Sequence, residues 1–192
     1  MSTKSRVQKS PRRKKKSPQS SVPLARGLKQ RFQNRLLKWY KEHGRDLPWR
    51  RTSDPYHILV SEVMLQQTQV DRVIPKYHEF LERYPSFEQL ADAPVAEVKQ
   101  TWYPLGYNIR PERMNSIACE TVARYGGQLP NDAEELLSFK GIGWYTAGAI
   151  RSFAFNEDAP ILDTNVIRVL HRVFIAQGDP KAQKAALWEL SE

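Results

Sequence analysis

From Leu28 onward the apolar residues recur every three or four positions, and nowhere is a period-two alternation sustained. That spacing confines the fold to helices packed on helices. Leu28, Phe32, Leu36, Trp39 and Tyr40 mark a first amphipathic helix, and Val70, Val73, Ile74, Tyr77, Phe80, Leu81 and Tyr84 another. Met114, Ile117, Ala118, Thr121, Val122 and Tyr125 mark a third, closed by Gly126-Gly127. Start signals agree with these stripes. Asp54-Pro55 reads as an N-cap and first helical residue, Ser86-Phe87-Glu88-Gln89 as a capping box, and Asp132 as the cap of a short helix holding Leu136 and Leu137. The expectation is an all-α protein of about eight to ten short helices over residues 28–192.

The formal charge of +9 suggests a nucleic-acid binder, but its distribution says more than its size. Nine of the 30 Lys and Arg lie in residues 1–27, which contain no Asp or Glu, so residues 28–192 balance 21 basic against 21 acidic side chains. Any DNA-binding face on the helical part must therefore come from how charges are placed. The tail, with Ser10-Pro11-Arg12-Arg13-Lys14-Lys15-Lys16-Ser17-Pro18, has almost no apolar content and is expected to be disordered. It could add salt-sensitive attraction to phosphates, serve as a nuclear address, or merely solubilise. It lacks the apolar stretch of a secretory signal, and no apolar run approaches the ~18 residues of a membrane span. An intracellular protein with no membrane partner is expected, nuclear in a eukaryote and in the cytoplasm or nucleoid of a prokaryote, acting as a monomer. One cysteine, Cys119, permits no internal disulfide, and His43, His57, His78 and His171 lack ligand-like spacing, so no metal site is expected.

Two carboxylates stand out. Ile58, Leu59, Val60, Val63, Met64 and Leu65 place apolar residues nearly all round the helix after Asp54-Pro55, with Glu62 in their midst. A carboxyl in such a setting has its pKa raised, which suits a general acid near neutral pH. Gln66-Gln67-Thr68-Gln69 follow, four neutral hydrogen-bonding side chains able to face bases or phosphates. The plainer alternative puts Glu62 on the wet edge of the helix and lets the glutamines end it. Asp163 comes twenty residues after the turn Lys140-Gly141-Ile142-Gly143. Two glycines one residue apart let backbone N–H groups converge at a helix start, a natural phosphate grip, and Asp163 would open the next helix. Here the alternative is an ordinary turn and an ordinary aspartate cap.

Five blocks in order resemble adenine DNA glycosylases of the MutY type, within the helix-hairpin-helix glycosylase superfamily. They are Leu47-Pro48-Trp49-Arg50, Val60 through Val70 with its Ser-Glu-Val-Met-Leu-Gln-Gln-Thr string, Leu105-Gly106-Tyr107, Gly141-Ile142-Gly143 with Thr146 to Ile150, and Ile161-Leu162-Asp163 with Asn165-Val166 and Arg168-Val169-Leu170. The likeness spans about residues 30 to 176, and the Ser-Glu-Val-Met-Leu-Gln-Gln-Thr string is its most specific part. It implies two helical lobes with a cleft, and base excision from double-stranded DNA bearing adenine opposite guanine or oxidised guanine. Glu62 would protonate a flipped-out adenine and Asp163 would stabilise the sugar cation, with Tyr145 near the departing sugar and Asn165 assisting the carboxylates. Arg45, Trp49 and Leu65 would line the base pocket, although a plain core role suits Trp49 almost as well. Gln67 and Tyr107 would wedge into the stack, and Thr68, Lys140, Gly141, Ile142 and Gly143 would join them in holding DNA. Relatives of the endonuclease III type carry a lysine at position 145, which forms a Schiff base and leads to strand cleavage. Tyr145 therefore implies a glycosylase without efficient strand cutting.

Thr164, Lys140 and Asn108 depart from the family pattern, where glycine, proline and a second tyrosine are usual; these changes bear on the subfamily more than on the reaction. Full-length relatives are expected to carry a four-cysteine [4Fe-4S] module and a domain recognising oxidised guanine. Neither is present in this sequence, so a catalytic region truncated at its C-terminus is the expectation, either as a fragment of a longer product, the favoured reading, or as a lineage that has shed those parts. The competing readings are a thymine or uracil mismatch glycosylase of the same fold and a truncated, non-catalytic DNA-binding module. A scaffold unrelated to DNA would leave the carboxylates and the hairpin unexplained.

Overall fold

A computed structural model describes residues 27–192, so the expectations for the basic tail lie outside the described residues except at Gly27. Among the described residues the chain is all-helical, with ten α-helices: α1 Leu28–His43, α2 Pro55–Leu65, α3 Val70–Arg83, α4 Phe87–Asp92, α5 Val95–Trp102, α6 Ile109–Tyr125, α7 Ala133–Ser138, α8 Trp144–Phe155, α9 Thr164–Leu170 and α10 Lys184–Ser191. A short 3-10 turn, Pro48–Arg50, precedes α2, and a π turn, His171–Ile175, extends α9.

The hub is α2. Its entry is fixed by Asp54, whose carboxylate accepts from the amides of Tyr56 and His57 while Pro55 takes the first helical position. Eight consecutive-turn residues, Tyr56 and Ile58 to Met64, are buried, because α3, α6 and α8 close round the helix. The main core gathers Leu59, Val60, Met64, Phe80, Trp102, Met114 and Ile150. Trp102 meets Phe80 edge-on at 5.7 Å between ring centroids. Tyr56 adds a long-range tie, its hydroxyl donating to the Tyr84 carbonyl at 2.6 Å.

A second, smaller cluster holds Leu162, Leu170 and Leu187, with Val166, Phe174 and Trp188 packed against it. Helix α1 joins this region through Phe32, which meets the ring of Phe174 edge-on at 5.1 Å. The expected first helix is thus present, yet none of its residues is buried, and Leu36, Leu37, Trp39 and Tyr40 stay exposed.

The cap expectations hold at Asp54, Asp132 and Gly126 and fail at Ser86. Ser86 makes no cap to the backbone; its hydroxyl turns to the side chain of Glu88 instead, so the expected capping box is not formed. Helix α10 buries Ala186 and Leu187 and leaves Ala185 exposed.

Candidate active site

Glu62 is 8% exposed, in the third turn of α2. It lines a cavity of about 580 Å³ together with Arg45, Trp49, Leu65, Tyr145 and Tyr40. The expected acid and the expected base-pocket residues are therefore walls of one space. Trp49 serves both of its expected roles: its ring is buried against Tyr77 at 5.4 Å, and it still forms part of the wall. Arg45 is exposed at the rim, its carbonyl held by the Arg50 guanidinium at 2.8 Å. Arg50 also lies over the Tyr40 ring at 5.3 Å, closing the α1 side of the cavity.

Burial pushes the Glu62 carboxyl above the usual carboxylate range. The neighbouring hydroxyl of Tyr145 offsets part of the shift, while the negative charge of Asp163 adds to it. The same surroundings push the Tyr145 phenol up: desolvation leads, followed by Glu62 and then Asp163. Tyr145 thus stays neutral beside Glu62 on the cavity wall. Glu62 occupies the buried position, against the alternative of a wet helix edge.

Asp163 and Asn165 are not walls of that cavity; they reach the site from the start of α9. Asp163 caps α9 by accepting from the Val166 amide at 2.7 Å, and its other oxygen accepts from Asn165 Nδ2 at 3.0 Å. Arg168 completes the chain, donating to Asn165 Oδ1 at 3.1 Å. The approach of this segment depends on Gly148 in α8. A Cβ at that position would sit 2.6 Å from the Pro160 carbonyl oxygen, so the missing side chain lets the loop before Asp163 lie directly on the helix that carries Tyr145.

The hairpin is formed as expected. Gly141 has φ +115°, a conformation L side chains rarely adopt, and the turn closes with the Ile142 amide donating to the Phe139 carbonyl at 3.1 Å. Ile142 is buried and anchors the turn, while Lys140 and Gly143 face solvent. Gly143 opens α8 without any side-chain cap, leaving the first amides of the helix available to an anion. Gln67 and Tyr107 are both exposed, and both have left-handed backbone, with φ of 55° and 50°. Thr68 lies beneath them, half-buried, its hydroxyl accepting from Arg110 at 3.2 Å.

Arg110 is the residue the sequence reading missed. It is buried at the start of α6, and it occupies the stripe that continues as Met114, Ile117 and Ala118. A lone charge on an otherwise apolar stripe was the signal that could have found it. Tyr40 and Phe153, also walls of the cavity, carried no such signal, since exposed aromatics on helices are common.

The described helices thus carry a buried carboxyl and a tyrosine on one cavity wall, a capping aspartate whose charge both feel, and a glycine turn that leaves helix amides open. The chain belongs to the HhH-GPD superfamily of base excision DNA repair proteins, whose family model matches residues 60–192. It is 42% identical over 146 residues to the thymine/uracil-DNA glycosylase of Pyrobaculum aerophilum, a match covering 75% of this chain and 64% of that one. It is also 42% identical over 172 residues to the adenine DNA glycosylase of Rattus norvegicus, covering 84% of this chain and 33% of that one. Among solved structures, a thermostable thymine-DNA glycosylase superposes with a TM-score of 0.79 at 31% identity, covering 85% of this chain and 76% of that one. The chain thus spans about a third of the rat enzyme's length. Among the described residues no group of His, Cys, Asp and Glu could hold a metal ion, and the sequence has one cysteine, so the residues present do not fit a four-cysteine iron-sulfur cluster. Among the described residues, too, no helix is long and apolar enough to cross a membrane.

Proposed function

We propose that this chain removes adenine mispaired with guanine or oxidised guanine from double-stranded DNA, by hydrolysis of the N-glycosidic bond and without strand cleavage. The observation that carries the reading is the burial of Glu62 beside Tyr145 at the cavity wall, with Asp163 close enough to raise both. An adenine rotated out of the stack would enter the cavity between Trp49 and Leu65. Glu62, whose burial favours the protonated form, gives its proton to a ring nitrogen of the base. The glycosidic bond then breaks with its electron pair leaving on the adenine, and the sugar is left as an oxocarbenium ion. Asp163, fixed by Val166 and Asn165, stabilises that cation, and water adds to the anomeric carbon as its proton passes to the Glu62 carboxylate, which restores the acid. Position 145 holds a phenol instead of an amine, so no Schiff base forms there. The hairpin amides and Lys140 grip a phosphate, and Gln67 and Tyr107 fill the gap in the stack.

The test is single-turnover release of free base from a duplex bearing adenine opposite oxidised guanine. Adenine should be released by the parent chain and retained by Glu62→Gln. A second reading, removal of thymine or uracil opposite guanine, draws support from the likeness to the Pyrobaculum enzyme and to the thymine-DNA glycosylase structure. The Gln66-Gln67-Thr68 string and Glu62 favour adenine over it. Release of thymine or uracil, with adenine untouched, would reverse that preference.

A further inference from the structure

Arg110 is 4% exposed and, among the described residues, forms no ion pair. Its partners are neutral oxygens. Nη1 donates to the carbonyls of Val63 at 3.0 Å, Met64 at 2.9 Å and Gln66 at 2.6 Å. Nη2 donates to the carbonyls of Leu105 at 3.1 Å and Gly106 at 3.1 Å, and to Thr68 Oγ1 at 3.2 Å. Each nitrogen carries two hydrogens, so three acceptors share each pair. Val63 and Met64 are among the last carbonyls of α2, which have no partner inside their own helix, and a cation there also meets the negative end of the helix dipole.

This grip spans two separate segments. One is the turn that follows α2, and the other is the loop between α5 and α6. In each, Arg110 holds the carbonyl immediately before a residue with left-handed backbone: Gln66 before Gln67, and Gly106 before Tyr107. Left-handed backbone at a residue other than glycine persists only where the surroundings over-determine it. The guanidinium supplies that constraint at both places, and its carbon lies 5.3 Å from the centroid of the Tyr107 ring.

We propose that Arg110 is a positioning residue that couples the two loops, so that Gln67 and Tyr107 enter the base stack as one rigid tool. The inference rests on the reading of those two side chains as wedges. Lysine cannot replace the arginine in this role, because a single ammonium with three donors cannot span six acceptors in two segments.

The experiment uses a duplex with 2-aminopurine beside the target adenine, whose fluorescence rises on unstacking whether or not a base is excised. At saturating protein, Arg110→Lys should cut that rise at least five-fold while the chain still melts cooperatively. Base release from the paired duplex should fall at least ten-fold, whereas release from the same adenine inside an unpaired bubble should fall less than three-fold. A purely structural role would lower both rates together, and that result overturns the proposal. Should Arg110→Lys not fold, Gln67→Ala and Tyr107→Ala, both at exposed sites, provide the alternative. Coupled wedges give a double variant far less impaired than the product of the single losses, and simple multiplication of the losses overturns the coupling. A parent chain that unstacks 2-aminopurine but frees no adenine defeats the proposed reaction, while a loss of unstacking in Arg110→Lys would still uphold the positioning role. A parent chain that unstacks nothing defeats the wedge reading and this inference with it.

Discussion

The core round α2 and the cluster round α9 are built to different standards. In the first, Leu59, Val60, Met64, Phe80, Trp102 and Met114 have no exposure, and helices close on α2 from several sides. In the second, Leu187 alone reaches that level, Leu162 and Leu170 keep some exposure, and α1 contributes no buried residue. Glu62 belongs to the first region and Asp163 to the edge of the second. The proposed proton donor thus sits on the helix that other helices enclose, where burial raises its pKa, and Asp163 is held mainly by hydrogen bonds at a helix start.

The most severe way to break this pairing is chemical. Glu62→Gln should slow single-turnover adenine release by about 10²- to 10⁴-fold with the fold intact, as measured by quenched-flow base release and circular dichroism. Asp163→Asn should cost about 10²- to 10³-fold, since the amide keeps an acceptor for the Val166 amide and loses the charge. Stability sharpens the contrast between regions. Leu59→Ala should cost about 2–5 kcal/mol in urea denaturation, and Leu170→Ala less than half of that, because its surroundings are already open. Equal losses would erase the distinction. Gly148→Ala probes the seam between the two regions: the added carbon meets the Pro160 carbonyl, and overpacking of this kind costs about 1–3 kcal/mol, with a slower release as Asp163 shifts away from Glu62.

The smallest effect concerns pH. The folded chain holds the Glu62 proton above the carboxyl's ordinary value of 4.5, so between that value and the raised one the folded state binds more protons than the unfolded state. Stability therefore falls as pH rises through this window and stays lower above it. Glu62→Gln removes that loss and should melt at a higher temperature than the parent near neutral pH, with the gap closing below the ordinary value. In the parent, base release should decline as pH climbs past the raised pKa.

Much of this arrangement was legible in the sequence, for definable reasons. Helical spacing located α2, α3 and α6 and showed that a helix apolar on nearly every face has to be enclosed, but periodicity alone left Glu62 free to lie on a wet edge of it. The Arg45, Trp49, Leu65 and Tyr145 grouping came from resemblance; periodicity alone could not join residues so far apart in the chain. Periodicity also overstated α1, whose stripe is present but buries none of its residues. The Ser86 capping box failed because a neighbouring carboxylate competed for the hydroxyl. The Gly148 contact escaped notice because it works through a main-chain oxygen, which leaves no trace in side-chain patterns, whereas Arg110 was marked only by its lone charge on the apolar stripe of α6.

The left-handed backbone at Gln67 and Tyr107 has a thermodynamic consequence of its own. A loop that bends only on meeting DNA spends part of its binding free energy on conformational entropy, and its affinity drops accordingly. Here the bend is already made when the chain folds. Were Gln67 and Tyr107 to act as the proposed wedges, opening a base pair would carry no such ordering cost.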